Sequence, residues 1–342
     1  MSIGGPLTIG VVGTGGWATG FWSPAQHAPE VKLIACWDRA PEHASRFAET
    51  YHCEVAPTFE ALLADSRIEA IAVFTPNSQH RVPTEAAAAA GKHVFTEKPI
   101  ANLVEDGAAM VRACGQAGVT LMVGHSARYH GAMRALRSLL DDGGLGQLAM
   151  AEANISHSGG TRVTPDEWRW HRQEAPGGPL MQLSVHAFDT LHYLFGPTRR
   201  VTALASGALM SSEIEDVYLA LLEHDSGLLS YVGTNYVSPS ANYLRVYGVG
   251  GNAYVEGGQV TFIRAVEAWS SKREEVAVPE INAPAAEMAE FARAVRTGTP
   301  PETGGKEGLL ALGVARACIT SAEQGRAVLV QEALGEAAGL VR

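Results

Sequence analysis

The first third of the chain alternates short apolar segments with segments of helical periodicity, and this alternation constrains the fold more than any other feature. Five segments are rich in aliphatic residues at successive positions, as expected for strands covered on both faces: residues 7–12, 32–37, 70–74, 93–96 and 120–123. Helical patterns lie between them at residues 41–51, 59–64, 82–90 and 104–117. Strands joined by helices form a parallel sheet with right-handed crossovers. The pattern therefore predicts an α/β domain with a doubly wound parallel sheet.

The pattern changes near residue 125, after which long strand-like segments dominate. These are residues 147–156, 201–209, 217–224, 228–237, 243–247, 253–256 and 259–263, with a short one at 327–330. Turn-forming sequences at Asp225-Ser226-Gly227 and Gly250-Gly251-Asn252 favour antiparallel hairpins. Helical patterns cover residues 133–140, 179–195, 285–296 and 306–324. We therefore predict a second, α+β domain with a large, mostly antiparallel open sheet, and a division of the chain into residues 1–125 and 126–342.

The charge distribution excludes several classes of partner. The formal net charge is −10, and the Lys and Arg residues form no cluster of the kind that binds nucleic acid or an anionic membrane surface. No apolar run approaches the roughly 18 residues of a membrane span. The four cysteines are far apart in sequence and lack metal-binding spacing, which favours reduced thiols, a cytoplasmic location and no bound metal.

A glycine-rich turn joins the first predicted strand to the first helix. It reads Gly13-Thr14-Gly15-Gly16-Trp17-Ala18, a G-x-G-x-x-A pattern that brings a pyrophosphate against bare backbone and onto a helix N-terminus. The next strand ends at Asp38, where a carboxylate accepts the ribose hydroxyls of the adenosine half of a dinucleotide. Asp38 would repel a 2′-phosphate, so NAD is favoured. The adjacent Arg39 could pair with a phosphate and leaves NADP open.

Two further polar segments follow strands of the same predicted sheet, at the edge where open α/β folds bind ligands. They are Thr75-Pro76-Asn77 with His80, and Glu97-Lys98-Pro99. In this order, and with the glycine-rich turn, they resemble the Gfo/Idh/MocA family, named for glucose–fructose oxidoreductase and inositol dehydrogenase. Four later motifs extend the resemblance over nearly the whole chain: Gly143-Gly144-Leu145-Gly146, Trp168-Arg169, Gly177-Gly178-Pro179-Leu180 and His186…Asp189.

The resemblance implies an NAD(P)-dependent dehydrogenase or reductase that acts on a sugar, cyclitol or related polyhydroxylated small molecule. It implies a Rossmann domain, and a second domain whose sheet mediates oligomerisation, here as a homodimer or homotetramer. It also implies that Lys98 lies between nicotinamide and substrate, with a Lys98–Pro99 bond that is often cis. The cofactor contacts that it implies at this edge of the sheet are Thr75, Pro76, Asn77, His80, Glu97 and Lys98.

The most prominent helix of the predicted second domain carries Gln182, His186, Asp189 and Tyr193 at spacings that place them on one general side. A histidine suits proton transfer near neutral pH, so His186 is the expected general acid/base, and Asp189 is expected to orient the helix or the histidine. Inositol-dehydrogenase-like members have an aspartate one turn before this histidine. Gln182 can still hydrogen-bond a substrate hydroxyl, but its presence weakens the case for an inositol substrate and shifts proton transfer toward Lys98.

Four further residues are weaker candidates for the substrate pocket, because aromatic faces and hydrogen-bond donors suit a sugar ring; they are Arg128, Tyr129, Trp168 and Arg169. Packing at the domain boundary is an equally good interpretation of each. Two alternative functions remain open. One is an NAD-dependent glycosidase that oxidises its sugar transiently, and the other is a catalytically silent dinucleotide-binding regulator. The presence of Glu97, Lys98 and His186 together argues against the regulator.

Overall fold

The computed structural model describes residues 5–267 and 270–341, and the chain divides into two compact units. Unit 1 comprises Met1–Ser126, Asn282–Leu309 and Gly339–Arg342. Unit 2 comprises Ala127–Ile281 and Leu310–Ala338. Within the described ranges, no helix has both the length and the apolar character that crossing a bilayer requires.

Unit 1 is built on a parallel sheet whose strands are connected by helices. Its strands are β1 (Leu7–Val12), β2 (Val31–Trp37), β3 (Glu54–Val55), β4 (Ala70–Val73), β5 (His93–Glu97) and β6 (Leu121–Gly124). The connecting helices are α1 (Gly16–Ala25), α2 (Pro41–Tyr51), α3 (Phe59–Ala64), α4 (Arg81–Ala89) and α5 (Val104–Ala117). In the part of the chain that is described, the six strands follow the order β3-β2-β1-β4-β5-β6 and all neighbours are parallel. The predicted doubly wound sheet is confirmed.

An aromatic cluster fixes α1 against the ends of β4 and β5. The ring of Phe21 on α1 lies 5.1 Å from that of Phe74 and 5.5 Å from that of Phe95 (between centroids), and Phe95 in turn lies 6.0 Å from Phe291. All four rings are buried. Aromatic pairs at such separations add to the energy of burying their area. The N-terminus of α1 is thereby held beside the carboxyl ends of the central strands.

Unit 2 is built on a larger sheet. Its strands are β7 (Leu148–Ser156), β8 (Thr198–Ser206), β9 (Val217–His224), β10 (Leu229–Asn235), β11 (Ala241–Gly248), β12 (Gly251–Glu256), β13 (Gln259–Glu267), β14 (Ser270–Val276) and β15 (Val328–Leu329). Counting only described residues, these nine strands follow the order β14-β13-β12-β11-β7-β10-β9-β8-β15. The pair β10–β7 is parallel, and the other named pairs are antiparallel. The predicted α+β architecture with a mostly antiparallel sheet is confirmed.

The remaining helices are α6 (Gly131–Asp141), α7 (Val185–Phe195), α8 (Ala283–Thr297), α9 (Gly305–Gln324) and α10 (Val330–Leu334). A five-residue π-helix, Leu180–Ser184, leads directly into α7. The prediction of one helix over residues 179–195 therefore missed a change of helix type at Ser184. Short π-helical turns are rare and are frequently found at functional sites.

The segment 282–309 corrects the predicted division of the chain, which assigned everything after residue 125 to the second domain. This segment belongs to unit 1. The Asn282 side-chain amide donates to the Pro24 carbonyl at the end of α1, and Arg296 on α8 forms an ion pair with Glu69 just before β4. Because these partners lie more than 200 residues apart, no local pattern predicts the contact.

Candidate active site

The glycine-rich turn after β1 has the geometry of a dinucleotide-binding loop. Gly13 has a φ of +83°, and a Cβ at this position would lie 2.8 Å from the backbone of Phe74 and Thr75. Only glycine fits there, because the loop crosses directly over the end of β4. Around Gly15 and Gly16, by contrast, a Cβ would meet nothing within 4 Å. The turn is therefore closed toward the sheet and open on its outer side.

The open side of the loop fits a pyrophosphate. Gly15 is the N-cap of α1, and the first turn of α1 contains no acidic residue and no side-chain cap among the described atoms. The unpaired N–H groups of such a turn, together with the helix dipole, bind anions. In the short 3₁₀ helix that follows β4, the side-chain nitrogen Nδ2 of Asn77 is buried and makes no hydrogen bond within the described residues. A bound dinucleotide would supply acceptors for both sets of donors.

Asp38 lies at the predicted position, but its carboxylate is already engaged. Oδ2 accepts hydrogen bonds from the backbone N–H of Thr14 (2.6 Å) and its hydroxyl (3.2 Å), and Oδ1 accepts from the N–H of Ala40 (2.9 Å). These bonds tie the end of β2 to the glycine-rich turn. Oδ2 already accepts two hydrogen bonds, whereas Oδ1 accepts one and has a second lone pair, so Asp38 retains the capacity to accept from a ribose hydroxyl through Oδ1. Arg39 is exposed beside it.

Lys98 follows β5 and lies beside the first turn of α1. Its ammonium nitrogen Nζ is 5.1 Å from the centroid of the Trp17 ring, a cation–π contact. The Trp17 side chain also hydrogen-bonds to Glu97, whose Oε2 accepts from the backbone N–H of Lys98 at 3.1 Å. Burial raises the pKa of Glu97, while Lys98 and the Trp17 donor oppose that rise. The Lys98–Pro99 peptide bond is cis, as expected.

His80 connects the loop after β4 to the loop that carries Lys98. Its Nε2 lies 2.9 Å from the Thr75 carbonyl oxygen, and its Nδ1 lies 3.0 Å from that of Pro99 and 3.3 Å from that of Ile100. The ring is fully buried, and burial lowers its pKa to about 4 in spite of these carbonyls. A neutral, buried imidazole with two backbone partners is suited to positioning. His80 thus holds together two of the loops that the sequence assigned to the cofactor.

In unit 2 two of the predicted residues form a buried ion pair. Arg128 donates to both oxygens of Asp189, from Nε and Nη2 at 2.7 Å each, and the two residues are 7% and 0% exposed. The Arg128 guanidinium also lies 5.3 Å from the centroid of Tyr193. The sequence left substrate binding and packing as alternatives for Arg128. Its guanidinium binds Asp189 on α7, the helix that begins at Val185, and this contact supports packing.

The other predicted residues of unit 2 lie in three places. Gln182 is buried in the π-helix, and His186 is partly buried in the first turn of α7. Tyr129 is buried in the short 3₁₀ helix that also carries Arg128. Trp168 packs against the apolar cluster of Ala175, Ile214 and Tyr236, and the guanidinium of Arg169 lies 4.3 Å from the Trp168 centroid. Within the described residues, no group of three or more His, Cys, Asp or Glu side chains could hold a metal ion.

Two family models match successive parts of the chain. The oxidoreductase family with an NAD-binding Rossmann fold, Gfo/Idh/MocA, matches residues 7–125, and the C-terminal domain of the same family matches residues 133–254. The chain belongs to the Gfo/Idh/MocA family. The resemblance inferred from its motifs is confirmed, and the protein is an NAD(P)-dependent oxidoreductase.

The chain is similar to several known proteins over most of its length. It is 29% identical over 285 residues to the 1,5-anhydro-D-fructose reductase of Ensifer adhaerens, a match that covers 80% of this chain and 84% of the reductase. It is 28% identical to the D-xylose 1-dehydrogenase (NADP(+)) 2 of Haloferax volcanii, over 94% of this chain and 99% of that protein. The solved structure of aldose-aldose oxidoreductase from Caulobacter crescentus, in complex with glycerol, is similar with a TM-score of 0.85 and 29% identity, covering 95% and 99% of the two chains.

Sequence reasoning missed two features of this site. It assigned Trp17 to the cofactor loop and did not foresee its contacts with Glu97 and Lys98. It also missed the pairing of Arg128 with Asp189. The sequence did indicate a partner for Asp189, because an aspartate inside an apolar helix needs a buried cationic partner.

Proposed function

We propose that the protein transfers a hydride between the nicotinamide of NAD(P) and a carbinol or carbonyl carbon of a sugar, cyclitol or related polyhydroxylated molecule. The activities of the relatives support this substrate class, since they include an anhydrofructose reductase and a xylose dehydrogenase. The observation that carries the proposal is the position of Lys98, which lies beside the N-terminus of α1 at the ligand-binding edge of the sheet.

The chain's own residues would hold the cofactor along this edge. Gly15, Gly16 and the first turn of α1 would bind the pyrophosphate, and Asp38 with Arg39 would bind the adenosine ribose. Asn77 would donate from its buried amide. When bound, NAD(P) supplies the carbon that accepts or donates the hydride. The remaining contacts that we assign to the cofactor are Gly13, Thr14, Trp17, Thr75, Pro76, His80, Glu97 and Lys98.

We assign proton transfer to Lys98 and His186. Lys98 would donate a hydrogen bond to the reacting oxygen, and the Trp17 and Glu97 contacts would keep its ammonium in place. His186 would exchange the hydroxyl proton with solvent as general acid/base. Gln182, Tyr129, Trp168 and Arg169 are proposed to bind the substrate's other hydroxyls and its apolar ring face.

The decisive experiment is a panel of sugars and cyclitols with NAD and with NADP, followed at the absorbance of reduced nicotinamide. Net accumulation of reduced or oxidised cofactor is expected with at least one substrate. Product release without any net change in that absorbance would instead favour the transient-oxidation glycosidase. Binding of cofactor without turnover of any substrate would favour the regulator.

Lys98→Met tests the catalytic assignment. It is expected to lower kcat by about 10²-fold or more, the usual contribution of a positioned proton donor. The matched control is Lys32→Met, which removes an exposed lysine at the start of β2. Turnover within about tenfold of the wild type in Lys98→Met would refute the assignment. Measuring kcat as a function of pH for His186→Ala and for Lys98→Met distinguishes the two groups. The residue that carries the proton determines one limb of the pH–rate profile, so its replacement should remove that limb.

Cofactor preference can be tested at Asp38. We propose that NAD is preferred, because the Asp38 carboxylate would repel a 2′-phosphate at this edge of the sheet. Asp38→Ser is expected to raise kcat/KM with NADP relative to NAD, although loss of its bond to Thr14 lowers both values. A wild-type enzyme that is active with NADP alone would contradict the proposal.

We further propose that the protein is a cytoplasmic homo-oligomer that associates through the outer face of the large sheet. On this face Leu204, Leu219, Leu221 and Leu229 have exposed side chains, and Leu204 lies directly opposite Leu219. Adjoining exposed apolar side chains are typical of an interface between copies. Leu221→Glu should lower the mass measured by light scattering, and the control is Leu209→Glu, an exposed leucine outside the strands. The four described cysteines are free thiols, which agrees with a reducing compartment.

A further inference from the structure

Two cysteines that are distant in sequence meet at the adenosine end of the proposed cofactor site. Cys36 is the penultimate residue of β2, and Cys53 lies in the turn between α2 and β3. Their thiols hydrogen-bond to each other, and the carbonyl of Ala44, 3.5 Å from the Cys36 sulfur, is an alternative acceptor for the single Cys36 S–H. Cys36 is completely buried, whereas Cys53 is partly exposed.

The backbone around the pair brings the two sulfur atoms together. His52, the C-cap of α2, has a φ of +53°, the left-handed conformation that a side-chain-bearing residue rarely adopts. This turn leads into Cys53, whose N–H donates to the carbonyl of Ala48 at 3.2 Å. Beyond it, the N–H of Ala56 donates to the carbonyl of Cys36 at 2.9 Å. The two cysteines are therefore held on adjoining segments of backbone that are hydrogen-bonded to each other.

The two sulfur atoms have complementary reactivity. The hydrogen bond from Cys36 lowers the pKa of Cys53, which favours a thiolate at the exposed member of the pair. The same hydrogen bond and burial raise the pKa of Cys36, which keeps the inner member protonated. Cys114 provides a contrast, because burial without a thiol partner raises its pKa to about 12. A reactive outer thiol beside an inner resolving thiol is the arrangement of a redox-sensing pair.

We propose that Cys36 and Cys53 form a reversible disulfide on exposure to a hydroperoxide, and that this bond weakens dinucleotide binding. The Cys53 thiolate attacks one oxygen of hydrogen peroxide, the O–O bond breaks, and hydroxide leaves and is protonated to water. Cys53 is then a sulfenic acid. The Cys36 sulfur attacks the Cys53 sulfur, the S–O bond breaks, and hydroxide leaves with the Cys36 proton as a second water. Two thiols are oxidised and one peroxide is reduced; an added dithiol reverses the bond by exchange.

Two hydrogen bonds connect the cysteine pair to the glycine-rich turn. The residue after Cys36 is Trp37, whose carbonyl accepts from the N–H of Gly13 at 3.0 Å. The next residue is Asp38, whose Oδ2 accepts from the N–H of Thr14. A disulfide shortens the sulfur–sulfur separation to about 2.05 Å, and we expect this to draw the end of β2 toward the turn before β3. That displacement acts on the same backbone that positions Gly13 and Thr14. This part of the inference rests on the proposed cofactor site, whereas the bond itself does not.

The test uses the full-length protein, reduced, desalted and then treated with hydrogen peroxide. We expect an intact mass lower by two hydrogen atoms, and two titratable thiols under denaturing conditions in place of the four in the sequence. Trypsin should release residues 33–39 linked to residues 47–67. The NAD dissociation constant, measured by calorimetry, should rise by about tenfold, the effect of losing a hydrogen bond to a charged group, and dithiothreitol should reverse the change.

Three variants separate the outcomes. Cys53→Ser, at the partly exposed position, should abolish both the mass change and the loss of affinity, and Cys36→Ser should do the same where it folds. Cys114→Ser is the matched control and should respond as the wild type does. Four remaining thiols, or oxygen addition without the 33–39 to 47–67 linkage, would overturn the disulfide. A linked protein whose NAD affinity changes by less than about twofold would overturn the coupling. Failure of the reduced protein to bind either dinucleotide would refute the proposed cofactor site and the coupling with it, while mass and thiol counts would still decide the disulfide.

Discussion

Removal of one partner of the buried Arg128–Asp189 pair is expected to destabilise unit 2 far more than removal of both. The two side chains are almost completely buried and share two charge-assisted hydrogen bonds of 2.7 Å. Replacing one partner leaves the other charge buried and uncompensated, which costs about 3–5 kcal/mol. Replacing both with apolar residues removes that penalty. Variants of Arg128 additionally lose the cation–π contact with Tyr193, worth about 0.5–2 kcal/mol.

The assay is a double-mutant cycle of Arg128→Met, Asp189→Leu and the double variant, with the free energy of unfolding measured in urea. We expect each single variant to lose about 3–5 kcal/mol and the coupling energy to exceed about 2 kcal/mol. Asp141→Asn is the control, because its partner Arg137 lies on the same helix and both side chains are substantially exposed. Such an exposed pair contributes about 0.5 kcal/mol or less.

A coupling energy below about 0.5 kcal/mol would refute the reasoning, since the pair would then behave like an exposed one. Activity supplies a second readout. Asp189 follows His186 by three residues on α7, so the pair is placed to hold the helix that carries the proposed general acid/base. The double variant should therefore fold and yet have a reduced kcat. A wild-type kcat in the double variant would exclude a role of the pair in positioning His186.

Three further predictions follow from individual contacts. Gly13→Ala should destabilise the protein strongly, because its Cβ would lie 2.8 Å from backbone atoms. Gly15→Ala should fold normally and lose NAD affinity, because a Cβ there meets nothing within 4 Å. Thermal unfolding measures the first effect and calorimetry of NAD binding measures the second. Burial lowers the pKa of His80 from its ordinary 6.5 to about 4, so its contribution to stability is complete above pH 6.5 and is lost as pH falls toward 4. The free energy of unfolding should change by about 3 kcal/mol over this range. Urea titrations at several pH values measure this change, and His80→Gln should abolish it. Trp17→Phe keeps an aromatic ring but loses the bond to Glu97, and should lower kcat/KM by about three- to tenfold; an unchanged value would exclude a positioning role.

The elements of the protein that the sequence predicts well are those with a local signal. The buried parallel strands are apolar runs bounded by turns, so their positions were found to within a few residues. β14 was missed because its sequence, Ser-Ser-Lys-Arg-Glu-Glu-Val, has no apolar face, as suits the polar edge of a sheet. The return of α8 to unit 1 was missed for a different reason. It depends on contacts such as Arg296 with Glu69, whose partners are 227 residues apart in sequence.

The same distinction applies to the candidate site. Motif spacing located Gly13, Asp38 and Lys98, since each follows a strand of a parallel sheet and must reach the same edge. It could not reveal which of them contact each other. The position of Arg128 after the last strand of the first predicted domain suited a substrate pocket and packing equally well, because its partner Asp189 lies 61 residues later. A charge's partner is a property of the fold, and spacing alone does not identify it.

The contacts around Lys98 explain why cofactor binding and chemistry should be difficult to separate by mutation. The lysine is contacted by Trp17 from the first turn of α1, and its loop is held through His80, which binds the carbonyls of both Thr75 and Pro99. Three segments that follow different strands are thus joined around one ammonium group. A displacement of the proposed cofactor loop at Thr75 is transmitted through one buried imidazole to the residue beside Lys98. Substitutions in any of the three segments should therefore change kcat together with the KM for NAD, whereas a loop that served the cofactor alone would change KM and leave kcat intact.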